Sequence, residues 1–201
     1  MHDFIYLASQ SPRRRQLLDQ LGVRYVVLAP DESEDAEALE QVLPQELPEA
    51  YVQRVTLAKL KAAQQRLAQR GLPAAPLLCA DTTVALDDDI LGKPQDAAHA
   101  TATLQRLSGR RHQVLTALAL ATPQGAIYQA LSRSSVQFAP LPPARLAAYV
   151  ASGEPMGKAG AYAIQSRIAG WISHIEGSYS GIMGLPLFET TQLLEQSGVR
   201  T

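Results

Sequence analysis

An α/β fold around a mixed sheet is predicted by three features of this 201-residue chain. Short apolar runs of strand length alternate with longer segments of helical period. Two long runs of strand-forming residues, 112–121 and 127–138, flank the turn Thr122-Pro123-Gln124-Gly125 and read as a hairpin, which brings an antiparallel pair into the sheet. Hydrophobic residues make up 46% of the sequence, enough for a chain of this length to bury a core without disulfides or metal.

Taken in order, Phe4-Ile5-Tyr6-Leu7-Ala8 is long enough for a strand. Ser9-Gln10-Ser11-Pro12 then leads into a helix. Ser11 suits its N-cap and Pro12 its first position, where a missing N–H costs nothing. Leu17, Leu18 and Leu21 form the apolar stripe and Gly22 is the stop. Residues 25–29 predict a second strand. The acidic stretch 31–40, with Pro44 and Pro48 after it, reads as a surface loop or short helix. Val52, Val55, Leu57, Leu60 and Leu67 give residues 51–70 a helical period, closed by Gly71 and Pro73. Residues 77–80 predict a buried strand continued by 82–86, with Asp87-Asp88-Asp89 as a turn and Ile90-Leu91 as the return. A helix over 97–107 ends at Ser108-Gly109, and the hairpin follows. Leu141-Pro142-Pro143 opens another helix that ends near Gly153. Gly-rich loops, short strands near Ala163 and Ile172, and a final helix over 187–196 complete the chain. No repeat, low-complexity segment or linker interrupts it, so residues 1–201 are expected to form a single domain.

Composition excludes several function classes. Charged residues are 18% of the total and the net charge is -1, so no global field draws in a nucleic acid polymer or an acidic membrane. Any anion site must be local. Cys79 is the one cysteine and the four histidines are scattered, so neither an internal disulfide nor a zinc set can be assembled. The first residues lack the basic and apolar regions of a signal peptide, and no apolar run approaches the ~20 residues of a membrane span. A cytoplasmic location without membrane attachment is expected.

Four segments carry chemistry. In Ser9-Gln10-Ser11-Pro12-Arg13-Arg14-Arg15, a strand enters a hydroxyl-bearing loop and a helix N-terminus, whose free N–H groups favour an anion. Cations there oppose the helix dipole, which argues for a ligand; the alternative is a solvated basic face. Asp81, inside an apolar strand pattern, is expensive unless paired. Placed at the strand's C-terminal end it would face the crevice where α/β sheets bind ligands, the alternative being a turn cap between two strands. Gly92-Lys93-Pro94 lacks the upstream glycine and following hydroxyl of a P-loop, which excludes that chemistry. His112, entering a strand after Ser108-Gly109-Arg110-Arg111, reads as structural. In the last third, Lys158-Ala159-Gly160-Ala161-Tyr162 permits close backbone contact, and Gln165 offers an amide donor and acceptor to a base edge. Gly184-Leu185-Pro186 is expected to open the last helix with its N-terminus toward a cleft, and Trp171 reads as core or interface.

Together these segments resemble the Maf family of nucleoside triphosphate pyrophosphatases. The shared blocks run in the family's order over nearly the whole chain: Ser-x-Ser-Pro-Arg-Arg at 9–14, Ala-Asp-Thr at 80–82, Gly-Lys-Pro at 92–94, Ser-Gly-x-x-His at 108–112, Lys-Ala-Gly-Ala-Tyr at 158–162, Ile-Gln at 164–165 and Gly-Leu-Pro-Leu at 184–187. Arg13, Thr82 and Gln165 match the branch that cleaves dTTP and UTP; the branch preferring 7-methyl-GTP has Trp, Gln and Glu there. The resemblance implies an elongated mixed sheet flanked by helices, in two lobes with the active-site cleft between them, similar to the inosine triphosphatases. It implies Asp81 as proton acceptor and Arg13, Thr82 and Gln165 as specificity determinants. Ser9, Ser11, Arg14, Lys59 and Lys93 are implied to hold phosphate, and Glu34 with Asp81 a divalent cation, Mg²⁺ or Mn²⁺ by its oxygen ligands. Ala58 stands where the family has an acidic residue, and Ala163 and Ser166 where it has glycine.

The implied reaction is hydrolysis of a nucleoside triphosphate between the α- and β-phosphates. Two other readings stand beside it: a nucleotide-binding regulator of septum formation with little turnover, which would use the same anion site, and a house-cleaning enzyme for deaminated purine nucleotides, which shares the two-lobed architecture but predicts different base contacts. A carboxylate such as Asp81 favours an enzyme, since a binder gains nothing from an acid beside polyphosphate. The expected partner is a nucleoside triphosphate; the sequence leaves the oligomeric state open, a homodimer included.

Overall fold

The computed structural model describes residues 2–31, 34 and 38–199. Its strands are β1 (Ile5–Leu7), β2 (Tyr25–Val27), β3 (Leu77–Leu86), β4 (Asp89–Leu91), β5 (Arg111–Ala121), β6 (Ile127–Phe138) and β7 (Ile172–Glu176). The helices are α1 (Pro12–Gln20), α2 (Pro48–Gln69), α3 (Ala97–Leu107), α4 (Pro143–Ala151), α5 (Tyr179–Met183) and α6 (Leu187–Gln196). Among the described residues the strands form one sheet in the order β2-β1-β3-β5-β6-β7, with β4 added beside β3. β1 is parallel to β2 and β3, and the other pairs are antiparallel, so the sheet is mixed as the hairpin predicts.

The long strand β3 organises the molecule. On one edge it pairs with β5 over most of its length. On the other, β1 pairs only with Leu77 and Leu78, and β4 only from Val84 onward. Residues 79–83 therefore have a strand partner on the β5 side alone, and this gap divides two lobes. At the β4 end Leu104, Leu107, Phe138, Tyr149 and Tyr162 form one apolar cluster. At the β1 end the alternation of side chains gives two clusters on opposite sheet faces, one around Ile5, Leu18 and Leu194, the other around Tyr6, Leu60 and Ala119.

Local signals set most elements. Ser11 accepts from the Arg14 N–H at 3.5 Å as the α1 cap, and Pro12 opens that helix. α2 begins at Pro48, three residues before its apolar period, because a proline can occupy the first turn. Asp81 lies inside an uninterrupted β3, neither at a strand end nor in a turn. No strand forms at Ala163. Instead the chain makes a 3₁₀ turn at Ala159–Ala161, with positive φ at Gly160 (66°) and Ala161 (61°). A Cβ on Gly160 would lie 2.8 Å from Val84 Cγ1, so only glycine lets this turn seat on β3. The sequence reading also missed α5, a five-residue helix capped by Ser178 and ended by Gly184 at φ 116°. In the acidic stretch a 3₁₀ turn forms at Ala38–Glu40; the expectation for residues 32, 33 and 35–37 lies outside the described residues.

His112 is structural, as its lone position suggested. It is 2% exposed, its Nε2 lies 2.7 Å from the Tyr162 hydroxyl, and its ring meets Phe138 edge-on at 5.1 Å. Burial pulls its pKa down to about 4. An unfolded histidine titrates near 6.5, so between those values the unfolded chain takes up a proton that the folded one refuses. Stability should then fall as pH drops, by roughly 3 kcal/mol from this residue near pH 4. Urea unfolding at pH 7 and pH 4.5 checks it: His112→Asn, which cannot take up the proton, should lose less than the wild type over that interval, and an equal loss would contradict the assignment.

Candidate active site

The gap beside β3 opens into a cavity of about 760 Å³. The β1–α1 loop, α2, β3, the loop after β4 and residues 157–165 line it. Strand alternation puts Asp81 and Thr82 on opposite faces of β3. Asp81 shares its face with Ala117, which packs with Val52 and Val55 of α2, and is 8% exposed. Lys59, near the middle of α2, reaches it with Nζ 2.5 Å from Oδ1. Among the described residues Oδ2 has no hydrogen-bond partner.

The Lys59 ammonium also donates to Glu40 Oε1 at 2.7 Å, and Lys93 donates to Glu40 Oε2 at 2.8 Å. Asp81, Lys59, Glu40 and Lys93 thus form an alternating row from α2 to the loop after β4. Burial alone would lower the Lys59 pKa, but Asp81 and Glu40 outweigh it and hold the ammonium above its ordinary value. Burial alone would raise Glu40; Lys59 and Lys93 hold it below the usual carboxylate range. The Tyr51 hydroxyl donates to the Glu40 carbonyl at 3.0 Å, and Arg54 to the Gln41 carbonyl at 2.8 Å, so α2 fixes this segment. Burial, then the nearby Asp81 and Glu40 charges, push the Tyr51 phenol up to about 12, which keeps it a donor.

Glu34 is paired with an arginine of α2. It lines the cavity, but Arg66 donates to both its carboxylate oxygens, at 2.6 and 2.5 Å, and also to the Leu28 carbonyl at 2.9 Å. Glu34 therefore ties the segment after β2 to α2, while Glu40 shares Lys59 with Asp81. Nothing in the acidic stretch marks Glu40 among its neighbours. Only the fold of that segment over α2 selects it.

Arg14 turns inward. Its Nε donates to the Gly184 carbonyl at 2.7 Å, and its terminal nitrogens reach Ser9 Oγ at 3.4 Å and Thr82 Oγ1 at 3.3 Å. Burial lowers its pKa, against the attraction of Asp81. Three of a guanidinium's five donors are thus engaged by protein, leaving two for a ligand. Ser9 accepts from the Ser11 N–H at 3.1 Å, so the two serines shape the loop as well as line it. Arg13 and Gln165 line the cavity with no hydrogen-bond partner among the described residues. Lys158 lies nearby; burial and the Arg13 charge depress its pKa. Ala163 lines the cavity wall, while the Ser166 hydroxyl meets that of Tyr149 at 3.2 Å. The first residues of α6 are not among those that line the cavity; Gly184, before that helix, is, and its carbonyl is bound to Arg14.

The donor set suits a hard cation. Asp81 and Glu40 converge on one ammonium nitrogen, and Mg²⁺ or Mn²⁺ is held by one or two carboxylates with phosphates and water completing its shell. Among the described residues no group of three His, Cys, Asp or Glu could hold a metal by itself. Cys79 is buried, its thiol pushed up to about 11, and it offers no thiolate.

The row predicts coupling in stability. Lys59→Met leaves two carboxylates facing each other without their shared cation, and should destabilise by about 3 kcal/mol, as breaking a buried pair does. Adding Asp81→Asn should return part of that loss. Urea denaturation of both single variants and the double variant measures it, and strict additivity would show the pair to be uncoupled.

Residues 4–197 match the profile of the family described as Maf-like protein. The chain is 62% identical over 200 residues to the dTTP/UTP pyrophosphatase of Albidiferax ferrireducens, covering 100% of both chains. It is 63% identical over 199 residues to that of Burkholderia pseudomallei, covering 98% of this chain and 95% of the other. With the dTTP/UTP pyrophosphatase of Cupriavidus pinatubonensis the identity is 58% over 200 residues, again covering 100% of both. A solved nucleoside-triphosphatase / dITP/XTP pyrophosphatase of Mycobacterium abscessus aligns with 69% of this chain and 75% of its own, at 20% identity and a TM-score of 0.44. The match runs through every block that lines the cavity, and the chain belongs to the Maf family.

Proposed function

We propose that this protein is a nucleoside triphosphate pyrophosphatase that hydrolyses dTTP and UTP to the nucleoside monophosphate and pyrophosphate. One observation carries the reading: a buried carboxylate with one oxygen free, Asp81, sits in the same cavity as phosphate-grade cations and the unpaired side chains of Arg13 and Gln165. The names of full-length relatives at 58–63% identity support the same substrates. A cytoplasmic house-cleaning role fits a chain in which no described helix is long and apolar enough to cross a membrane.

In this reading water attacks the α-phosphorus, and its proton passes to the free Oδ2 of Asp81. The bond from the α-phosphorus to the bridging oxygen breaks, and pyrophosphate leaves with that oxygen. Lys59, Lys93, Arg13 and the two remaining Arg14 donors receive phosphate charge, so catalysis is positioning and electrostatics without a covalent intermediate. Asp81 and Glu40 would hold Mg²⁺ or Mn²⁺, which supplies charge neutralisation at the phosphates. Arg13, Thr82 and Gln165 face the base, with Gln165 donating its amide hydrogen to a pyrimidine carbonyl.

Asp81→Asn keeps the shape and removes the base, so turnover should nearly vanish while nucleotide binding persists. Wild-type kcat in that variant, with circular dichroism confirming its fold, would exclude Asp81 as proton acceptor. Gln165→Glu cannot donate to a carbonyl, and should reduce dTTP and UTP cleavage by about tenfold or more relative to CTP and GTP. Pyrophosphate release measured with all four triphosphates reads this directly. An equal fall across the four would remove Gln165 from base recognition.

A further inference from the structure

On the face of β3 opposite Asp81, hydroxyls replace charges. Thr82 Oγ1 lies 3.3 Å from an Arg14 terminal nitrogen and 2.9 Å from Thr116 Oγ1, across the β3–β5 pair. Thr116, 1% exposed, donates at 2.8 Å to the carbonyl of Gly181 in α5. The Gly184 carbonyl, at the end of the same helix, accepts from Arg14 Nε at 2.7 Å, so the circuit closes on itself.

Both ends of this relay have a fixed polarity. A guanidinium only donates and a carbonyl only accepts. Thr82 must accept from Arg14, and Thr116 must use its single hydroxyl hydrogen on Gly181. The hydrogen between the two threonines can then come only from Thr82. Its own hydrogen is thereby directed into the protein, and of its two lone pairs one already takes the Arg14 N–H. Thr82 lines the cavity and is partly exposed to it. All it has left to offer a ligand is an acceptor.

We propose that Thr116 is a specificity-positioning residue: by fixing the hydroxyl relay it makes Thr82 an obligate acceptor, which selects nucleobases carrying a ring N–H donor. This rests on the pyrimidine reading above. Uracil and thymine carry that donor at N3, whereas cytosine presents a lone pair there and would set acceptor against acceptor. Gln165 is then left to donate to the neighbouring carbonyl. Thr116 touches no substrate in this scheme and acts through Thr82.

The test is the ratio of kcat/KM for UTP to that for CTP, in which a general loss of active protein cancels. Thr116→Val keeps the side-chain shape but removes the hydroxyl, freeing Thr82 to rotate and donate. Its ratio should fall by about tenfold or more, with CTP gaining relative to UTP. Thr116→Ser restores the relay and should restore the wild-type ratio. A Thr116→Val enzyme with the wild-type ratio would overturn the proposal, as would a ratio lost equally in Thr116→Ser. For a valine variant that does not fold, Thr116→Ala, which is smaller and likewise lacks the hydroxyl, is read on the same ratio: a wild-type ratio overturns the proposal, and a fall of about tenfold or more supports it. A wild type that cleaves neither UTP nor dTTP would instead bring down the pyrophosphatase reading itself, an outcome visible before any variant is compared.

Discussion

A carboxylate in the middle of a buried strand is the constraint on which the rest of this molecule depends. Asp81 lies in the buried middle of β3, 8% exposed, and an unpaired charge there would cost several kcal/mol. Lys59 answers it from α2, which explains why a long helix is laid across this strand at this height. Lys59 is itself half-buried and draws in Glu40, and Glu40 draws in Lys93 from the far side of the gap. Each ion in the row exists because of the one before it. The arrangement holds two phosphate-grade cations in place before any substrate arrives, which is the preorganisation that charge-stabilising catalysis needs.

The gap in the sheet lets substrate reach this row. Had β1 continued past Leu78, or β4 begun before Val84, residues 79–83 would be paired on both edges and closed to solvent. Strand alternation then sorts the chemistry into two faces. Asp81 and Lys59 occupy one, where charge is handled. Thr82, Thr116 and the Arg14 fork occupy the other, where hydrogens have fixed directions. In the proposed mechanism a single-residue step along β3 separates catalysis from recognition.

How much of this the sequence made legible depends on how local each cause is. The bounds of α3, β6 and α6 follow from apolar period and punctuation within the segment, and the Ser11–Pro12 start of α1 from capping alone. β3 read as two pieces because Asp81 breaks its apolar run; its continuity comes from unbroken pairing with β5, and the charge is matched by Lys59, twenty-two residues earlier in the chain. The strand expected at Ala163 gave way to a turn whose shape comes from Gly160 lying against Val84, a tertiary contact. Motif resemblance brought Asp81, Thr82, Lys59, Lys93, Arg13 and Gln165 to one cavity. It did not separate Glu34 from Glu40, since both lie in one acidic stretch and only Arg66 and Lys59 tell them apart. Thr116 passed as an ordinary strand residue, and its place in the hydroxyl relay appears only when hydrogen-bond directions are followed from Arg14 to Gly181.

The central claim is that this row of charges directs water to the α-phosphorus of a pyrimidine nucleoside triphosphate. Hydrolysis of dTTP by the wild-type protein in oxygen-18 water, with the products resolved by mass spectrometry, tests it most directly. The account predicts thymidine monophosphate carrying one labelled oxygen, together with unlabelled pyrophosphate. Thymidine diphosphate with orthophosphate, or label in the pyrophosphate, would contradict it.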